Sequence, residues 1–178
     1  MRQVIQPLPM AFEILEVPCG WVALIASDQG LYEIILAANR AEASGRLKRY
    51  AELPEAEDGR RWLAAAEAII NGYFTTRAGV AQLKFDWRGL SDFSVKVLNC
   101  LSAVPRGKVV SYGELARRAG SPGAARAVGR IMAGNPFPIV IPCHRVLGAG
   151  GKMIGYSGGE GIATKRWLLK HEGYPTSI

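Results

Sequence analysis

The chain has 178 residues, of which 49% are apolar, 21% charged and 8% aromatic. This length suits one large domain or two small ones, and the composition excludes disordered and fibrous proteins. No apolar run approaches the roughly 18 residues of a membrane span, and Met1 to Phe12 lacks the apolar segment of a secretory signal. We therefore expect no membrane partner and a cytoplasmic protein, or a nuclear one in a eukaryote.

The net charge of +7 is unevenly distributed along the chain. Residues 1 to 90 contain 10 Lys and Arg against 11 Asp and Glu, whereas residues 91 to 178 contain 12 against 4. A basic half of this kind indicates contact with a polyanion, most often nucleic acid. A basic, solvated surface with no such partner would have the same composition.

Three cysteines, Cys19, Cys100 and Cys143, lie far apart and form no CxxC pair. This spacing argues against a disulfide framework and against a zinc knuckle, so we expect reduced thiols. Cys19 stands next to predicted turn residues, and Cys100 lies beside an apolar helical stripe. Cys19 is therefore predicted to be incidental rather than functional, and Cys100 to lie in the core.

The first half of the chain predicts a small α+β unit. Three short β-rich stretches run from Phe12 to Val17, from Trp21 to Ala26 and from Leu31 to Leu36, with turn residues between them, which predicts an antiparallel meander. Apolar residues at helical spacing then predict an amphipathic helix from Asp58 to Tyr73 that packs on this sheet. Val80 to Phe85 is predicted to add one more short strand.

The character of the sequence changes near Trp87 to Leu90, where Arg88-Gly89 precedes a new helical pattern. This change predicts two domains, residues 1–88 and residues 89–178. The second domain is expected to open with a helix from Asp92 to Ala103 that buries one apolar stripe.

Two short helices are predicted next. Ser111 and Glu114 have the Ser-x-x-Glu form of a capping box, which predicts a helix that ends at Ala119. Ser121-Pro122 predicts a second cap and a helix from Gly123 to Ala133. Two short helices joined by a Gly-Ser-Pro turn indicate a helix-turn-helix.

The second of these helices has an unusual composition for a protein that reads DNA bases. Arg126 and Arg130 lie one turn apart, Val128, Ile131 and Met132 form a core face, and the rest is Ala and Gly. Such a slim helix suits phosphate contact or shallow insertion into the minor groove better than base reading. An Ala-rich packing helix with two solvated arginines is the alternative.

The segment after this helix carries the strongest chemical signal. A short buried-type run, Pro138 to Ile141, leads into Pro142-Cys143-His144-Arg145-Val146. A cysteine beside a histidine in a basic surround is where a thiolate is expected, because imidazole and nearby cations lower the thiol pKa. Adjacent residues on an extended chain point to opposite sides, so a tight turn or a bridging water is needed. A buried thiol beside a surface histidine is the alternative.

A glycine-rich loop follows, with seven glycines between Gly148 and Gly161. It matches neither a P-loop nor a dinucleotide fingerprint, and its Tyr156-Ser157 is expected to line a pocket. Thr164 is predicted to cap a last helix that ends near Glu172. A carboxylate is unfavourable in a last turn, so Glu172 is expected either to pair with a group such as His144 or to be solvated.

Pro142-Cys143-His144-Arg145-Val146, with Asn135-Pro136 before it and Gly155-Tyr156-Ser157-Gly158-Gly159 after it, resembles the O6-alkylguanine-DNA alkyltransferase family. The similarity runs from about Phe93 to Gly173. It implies an α+β protein with a ribonuclease-H-like α/β domain followed by a mainly helical, winged-helix-like DNA-binding domain with a helix-turn-helix. It also implies direct-reversal DNA repair without a cofactor, on double-stranded DNA that contains O6-alkylguanine, and O4-alkylthymine as a second substrate.

The same resemblance implies roles for individual residues. Cys143 would accept the alkyl group once, His144 would deprotonate it through a water, and Glu172 would orient His144. Asn135 would stabilise the turn that holds them. Tyr112 would promote rotation of the 3′ phosphate and contact the base, and Arg126 would replace the flipped base in the duplex.

Further contacts follow from the family pattern. The resemblance implies DNA contacts at Ala125, Ala127 and Arg130, and a guanine pocket that includes Met132, Pro138, Val146, Tyr156 and Ser157. Certain family members carry a zinc site in the N-terminal domain. This chain has no histidine there, so we predict no metal, and we expect a monomer.

Two other classes of protein stay open from the sequence. A helix-turn-helix transcription factor would explain the basic half, but it predicts sequence-selective binding and makes no use of Cys143. A Cys-His-Glu hydrolase would explain the nucleophile, but it predicts turnover and gives no reason for a DNA-binding half.

Overall fold

The computed structural model describes residues 8–75 and 83–176. The chain divides into two compact units, an N-terminal unit (Met1–Asp86) and a C-terminal unit (Trp87–Ile178). This division lies just before the boundary predicted from the sequence. In the described part, no helix has both the length and the apolar character to cross a membrane.

The sheet of the N-terminal unit is the predicted antiparallel meander. Strands β1 (Ala11–Val17), β2 (Gly20–Ser27) and β3 (Gly30–Ala37) pair in sequence order. The central strand β2 is buried from residue 22 to residue 27. Gly30 has a φ angle of 152°, and a Cβ there would lie 2.5 Å from the Lys84 carbonyl oxygen, so only glycine fits this turn.

Two helices accompany this sheet, and only the second was predicted. Helix α1 (Arg40–Leu47) begins after Asn39, whose Oδ1 accepts a hydrogen bond from Glu42 N at 2.9 Å. Helix α2 (Gly59–Thr75) packs against all three strands. Of the predicted fourth strand, residues 80–82 lie outside the described residues, and Phe85 forms an isolated parallel bridge to Leu31.

The C-terminal unit contains four helices and two short strands within residues 87–176. Helix α3 (Asp92–Ser102) buries Val97 and Leu101 as predicted, but Cys100 is only half-buried, so its predicted core position is wrong. Cys100 lies toward the edge of the buried stripe, where its thiol reaches the Arg118 carbonyl oxygen at 3.5 Å. The remaining elements are strand β4 (Val110–Ser111), helices α4 (Tyr112–Arg118) and α5 (Ala125–Ala133), strand β5 (Val146–Leu147) and helix α6 (Ile162–His171).

The helix starts differ from the sequence prediction in two places. Helix α5 begins two residues late, because Gly123 has a φ angle of 93° and the N-cap residue Ala124 offers no capping side chain. Ser121 therefore does not cap it. Helix α6 begins after Gly161, and Thr164 does not cap it either: its Oγ1 accepts a hydrogen bond from Glu160 N at 2.9 Å.

Strands β4 and β5 position the two segments that carry the candidate catalytic residues. They pair in parallel, Val110 with Val146 and Ser111 with Leu147. Tyr112 follows β4 directly, and Cys143 lies just before β5. The pairing therefore brings the start of α4 beside the cysteine segment. The two units together form a mixed fold of helices and small sheets.

Candidate active site

The segment before the cysteine is folded into a turn by one side chain. Asn135 follows α5; its Oδ1 accepts a hydrogen bond from Phe137 N at 3.0 Å, and its Nδ2 donates to the Ile141 carbonyl oxygen at 2.8 Å. Phe137 is fully buried and meets Trp87 edge to face, with ring centroids 5.4 Å apart. Asn135 thus holds the turn that leads into the reactive segment, which is the role that the family resemblance implies for it.

Cys143 and His144 lie in a tight turn rather than on an extended chain. Residues Cys143–Arg145 form a single 3-10 turn, in which Arg145 N donates to the Pro142 carbonyl oxygen at 2.9 Å. Cys143 is 7% exposed and His144 is fully buried. Of the two alternatives for His144, the surface position is wrong, because the turn directs its ring into the protein.

His144 is held by Glu172, which directly follows the last residue of α6. His144 Nε2 lies 2.7 Å from Glu172 Oε1, so the predicted pairing is present and the solvated alternative for Glu172 is wrong. Arg145, which was assigned no role from the sequence, donates to both oxygens of Glu172 at 2.8 Å, through Nε and through a terminal nitrogen. Gly107 N adds a fourth hydrogen bond, at 3.1 Å. The carboxylate is therefore fixed from several sides.

Burial and these contacts set the charges of the pair. Burial lowers the pKa of His144 below its usual value, although Glu172 acts in the opposite direction. Burial alone would raise the pKa of Glu172, but hydrogen bonds from His144 and Arg145 hold it well below its usual range. His144 is thus neutral near neutral pH. Since Nε2 donates its proton to the carboxylate, Nδ1 carries the lone pair that can accept a proton.

The Cys143 thiol differs from the expectation of a ready thiolate. Burial raises its pKa above the usual value, and hydrogen bonds from Asn135 and Tyr156 and the charge of Lys165 offset only part of this effect. The prediction of a lowered pKa is wrong because it counted the nearby cations and the imidazole but not the loss of water around the sulfur. The resting form is the neutral thiol, so a base is needed when it reacts.

Lys165 is a site residue to which the sequence analysis assigned no role. It is fully buried in α6, and its Nζ donates to the Val146 carbonyl oxygen at 2.7 Å and to the Ile154 carbonyl oxygen at 3.3 Å. Burial lowers its pKa to about 8. The lysine thus joins the cysteine segment to the glycine-rich loop. Its place on the buried face of α6, between Thr164 and Leu168, was the available signal.

A cavity of about 220 Å³ opens beside the cysteine. Small residues leave room in it, and the full lining is Tyr112, Gly129, Met132, Ala133, Cys143, Gly155, Tyr156 and Ser157. Met132, Tyr156 and Ser157 were predicted to line it. Val146 and Pro138 were also predicted to do so, but they are buried outside the lining, because Val146 pairs with β4 and Pro138 lies within the turn that follows Asn135.

Two hydrogen bonds define the walls of this cavity. Tyr112 OH donates to the Ile154 carbonyl oxygen at 3.3 Å, and Ser157 Oγ donates to the Ala133 carbonyl oxygen at 3.1 Å. Burial and, to a lesser extent, the nearby Cys143 raise the pKa of Tyr112 above its usual value. Tyr112 is therefore a protonated donor at the cavity near neutral pH.

Helix α5 borders the cavity on one side and faces solvent on the other. Val128 and Met132 are buried, whereas Arg126 and Arg130 are exposed. Ala125 and Ala127, beside Arg126, are half-buried. The helix also packs against α4. The predicted arginine pair thus projects from the helix whose other residues line the cavity.

The other two cysteines lie in different surroundings. Cys19 belongs to the N-terminal unit, and burial raises the pKa of its thiol to about 11. Cys100 lines a larger, open groove of about 810 Å³ along the outer side of α3, with Trp87, Asp92, Lys96 and Asn99 among its neighbours. In the described residues, Cys143 is the cysteine that combines a small cavity with an adjacent His–Glu pair.

Comparison with known proteins now identifies the family. The family model of the 6-O-methylguanine DNA methyltransferase DNA-binding domain matches residues 92–174. A relative from Homo sapiens, methylated-DNA–protein-cysteine methyltransferase, is 40% identical over 167 residues, which cover 90% of this chain and 79% of the relative. The chain belongs to this methyltransferase family.

Two further family members extend the comparison. The methyltransferase of the same name from Salmonella typhimurium is 46% identical over 102 residues, and this alignment spans only 58% of the relative's length. The crystal structure of Mycobacterium tuberculosis OGT in complex with DNA matches with a TM-score of 0.73 and 34% identity, and covers 93% of this chain and 95% of that chain. Similarity to the family thus extends over both units.

Within residues 8–75 and 83–176, no three or more His, Cys, Asp or Glu side chains are grouped so that they could hold a metal ion.

Proposed function

We propose that this protein repairs DNA by transferring the alkyl group of O6-alkylguanine to Sγ of its own Cys143, once per molecule. The observation that carries the proposal is the position of Cys143, which lines a small cavity while the adjacent His144 is held by Glu172. Family membership and the similarity to an OGT bound to DNA support it. O4-alkylthymine presents the same type of alkyl–oxygen bond and is included.

The reaction is a displacement at the alkyl carbon. The Cys143 sulfur attacks this carbon, a C–S bond forms, and the bond between carbon and O6 breaks with its electron pair going to guanine. The thiol proton passes to Nδ1 of the neutral His144, through a bridging water, because the thiol pKa is raised. Glu172 orients the ring and stabilises the imidazolium that forms.

The leaving guanine needs a proton to become a neutral base. Tyr112, a protonated donor in the cavity lining, would turn its hydroxyl from the Ile154 carbonyl oxygen to the guanine as the C–O bond breaks. The backbone amide of Ser157 is a second candidate donor. His144 then releases its proton to the solvent, and the guanine anion takes up a proton from the solvent. The net change is the transfer of the thiol proton to guanine, so atoms and charge balance.

Access to O6 requires the base to leave the stacked duplex, at a cost of a few kcal/mol. We propose that α4 and α5 act as a helix-turn-helix in a winged-helix-like unit, and that exposed Arg126 fills the gap left by the flipped base. Arg130, Ala125 and Ala127 would approach the backbone, since the small side chains permit close contact. The N-terminal unit would be the ribonuclease-H-like domain.

The proposed reaction ends after one transfer. The product is a thioether, which lacks the carbonyl that lets water attack the thioester of a cysteine hydrolase. Regeneration of the thiol would need an acceptor for the alkyl group.

Incubation with a duplex that contains O6-methylguanine, followed by intact-mass measurement, tests this proposal. We expect a gain of one methyl group per molecule, in a burst without steady state, mapped to the Cys143 peptide. Cys143→Ser should abolish transfer and retain DNA affinity, with Cys100→Ser as the matched control. Repeated turnover, sequence-selective binding without transfer, or an adduct on Cys19 or Cys100 with Cys143 untouched would contradict the proposal.

A further inference from the structure

A strained backbone conformation lies shortly before the reactive cysteine. Among residues 8–75 and 83–176, Ile139 is the one non-glycine residue with a positive φ angle, 70°. The left-handed region is costly for L-residues and most unusual for a β-branched one. Ile139 is also buried, with 3% exposure. Such a conformation persists only where surrounding contacts impose it, and such positions concentrate at functional sites.

The contacts that impose it come from one short loop and one side chain. Ile141 N donates to the Phe137 carbonyl oxygen at 2.7 Å and closes a loop with Ile139 at its centre. Asn135 binds both ends of the same loop, Phe137 N at 3.0 Å and the Ile141 carbonyl oxygen at 2.8 Å. The positive φ of Ile139 reverses the chain so that these ends can meet.

The same loop determines where the cysteine lies. The Ile141 carbonyl oxygen that accepts from Asn135 also accepts from Cys143 N, at 2.9 Å. Phe137, at the other end, is fully buried against Trp87 and anchors the loop in the core. A change in the direction of the chain at Ile139 would therefore move the Ile141 carbonyl and, with it, the cysteine that lines the cavity.

We propose that Ile139 is a positioning residue for alkyl transfer: its left-handed backbone, held by the two hydrogen bonds of Asn135, fixes Cys143 at the cavity. This inference rests on the proposed function of Cys143. The task of Asn135 is then to hold a conformation that the chain otherwise disfavours. The alternative is that Ile139 only fills the core. The two interpretations predict different stabilities for a glycine and an alanine at this position.

The first experiment compares Ile139→Gly with Ile139→Ala in chemical denaturation. Both variants lose the buried side chain, but only glycine removes the conformational cost. We expect the unfolding equilibrium constant of Ile139→Ala to be about fivefold larger than that of Ile139→Gly. The control pair is Ile141→Gly and Ile141→Ala, where φ is not positive and glycine should be the less stable variant. Alanine as stable as glycine at position 139 would overturn the inference.

The second experiment measures the rate of transfer from free O6-benzylguanine base to Cys143, under conditions where circular dichroism shows every variant folded. We expect Asn135→Ala to slow transfer about tenfold in the Ile139→Ala background but only about twofold in the Ile139→Gly background. Glycine adopts the left-handed conformation without the hydrogen bonds of Asn135. Equal effects of Asn135→Ala in both backgrounds would overturn the positioning role. An unmutated protein that transfers nothing from the free base or from a duplex with O6-methylguanine would refute the proposed function, whereas the denaturation experiment would still test Ile139.

Discussion

His144 Nε2 and Glu172 Oε1 lie 2.7 Å apart, and neither side chain is exposed to solvent. The carboxylate fixes which ring nitrogen carries the proton, so the other nitrogen is left as the acceptor. We expect His144→Ala to slow alkyl transfer about a hundredfold near neutral pH, since general-base catalysis contributes at least that factor. Glu172→Gln should also slow alkyl transfer. The amide can accept a hydrogen bond from His144 or donate one to it, so it does not select one tautomer, and it lacks the negative charge that stabilises the imidazolium.

The other histidine provides the control for this prediction. His171 stacks on Trp167 at the end of α6, with ring centroids 5.0 Å apart. His171→Ala should leave the transfer rate unchanged in a single-turnover assay with a methylated duplex. Unchanged rates in His144→Ala and Glu172→Gln as well would show that the pair takes no part in the reaction.

The raised pKa of Cys143 predicts how its reactivity depends on pH. The neutral thiol predominates at pH 7, so the rate of carboxamidomethylation by iodoacetamide should rise with pH through the neutral range and well beyond it. Lys165→Met should lower the rate near pH 7, where Lys165 is charged and favours the thiolate, and this effect should fade above the Lys165 pKa of about 8. The measurement is the rate of modification of the Cys143 peptide, by mass spectrometry, with Cys100 as an internal reference. A plateau below pH 7 would contradict a raised pKa.

Local patterns in the sequence were sufficient for most of the elements of the N-terminal unit. The meander and α2 follow from alternation and helical spacing, which report the buried face directly. Helix α1 was missed because its segment is polar, although Asn39 and Glu42 have the spacing of a capping box. Glu42 N donates to Asn39 Oδ1 at 2.9 Å, and Glu42 Oε2 accepts from Ala38 N, one residue before the cap, at 3.0 Å.

Properties that depend on distant packing were not available from the sequence. The burial that raises the pKa of Cys143 comes from elements far apart in the chain, and so do the carbonyl partners of Lys165. The left-handed φ of Ile139 was also hidden, since isoleucine is among the residues least expected to adopt it. At this position the hydrogen bonds of Asn135 outweigh the preference of isoleucine for a negative φ angle.

The exposed arginines of α5 provide a matched pair for the mechanism of base flipping. Arg126 and Arg130 lie one turn apart on the same helix, and both are exposed. If Arg126 replaces the flipped base, Arg126→Ala should slow transfer from duplex DNA at least tenfold more than transfer from the free O6-benzylguanine base, since only the duplex needs a substitute for the extruded nucleotide.

Arg130→Ala should instead weaken binding to all duplexes by a similar factor and reduce the dependence of affinity on salt, as expected for a phosphate contact. The comparison uses single-turnover rates on both substrates and affinities at several salt concentrations. Equal losses on duplex and free base in Arg126→Ala would exclude its proposed role in the duplex.

Gly107 supports Glu172 through its backbone, and this predicts a strong effect of a single methyl group. Its φ angle is 72°, its N–H donates to Glu172 Oε2 at 3.1 Å, and a Cβ there would lie 3.0 Å from the Glu172 carbonyl oxygen. Gly107→Ala combines a left-handed alanine with this close contact. We expect it to lower the free energy of unfolding by about 2 kcal/mol and to slow alkyl transfer, because the turn must move away from the carboxylate.

Gly113→Ala is the matched comparison, because the same methyl group meets no atom within 4 Å there. Gly113 lies in α4, where alanine is favoured over glycine by up to about 1 kcal/mol, so this variant should be slightly more stable than the unmutated chain. Transfer from free O6-benzylguanine should be unchanged in Gly113→Ala and reduced in Gly107→Ala, with both rates measured below the onset of unfolding. If Gly107→Ala lost stability but kept the full transfer rate and its pH dependence, the Gly107 hydrogen bond would serve folding alone, and the orientation of Glu172 would depend on Arg145 and His144.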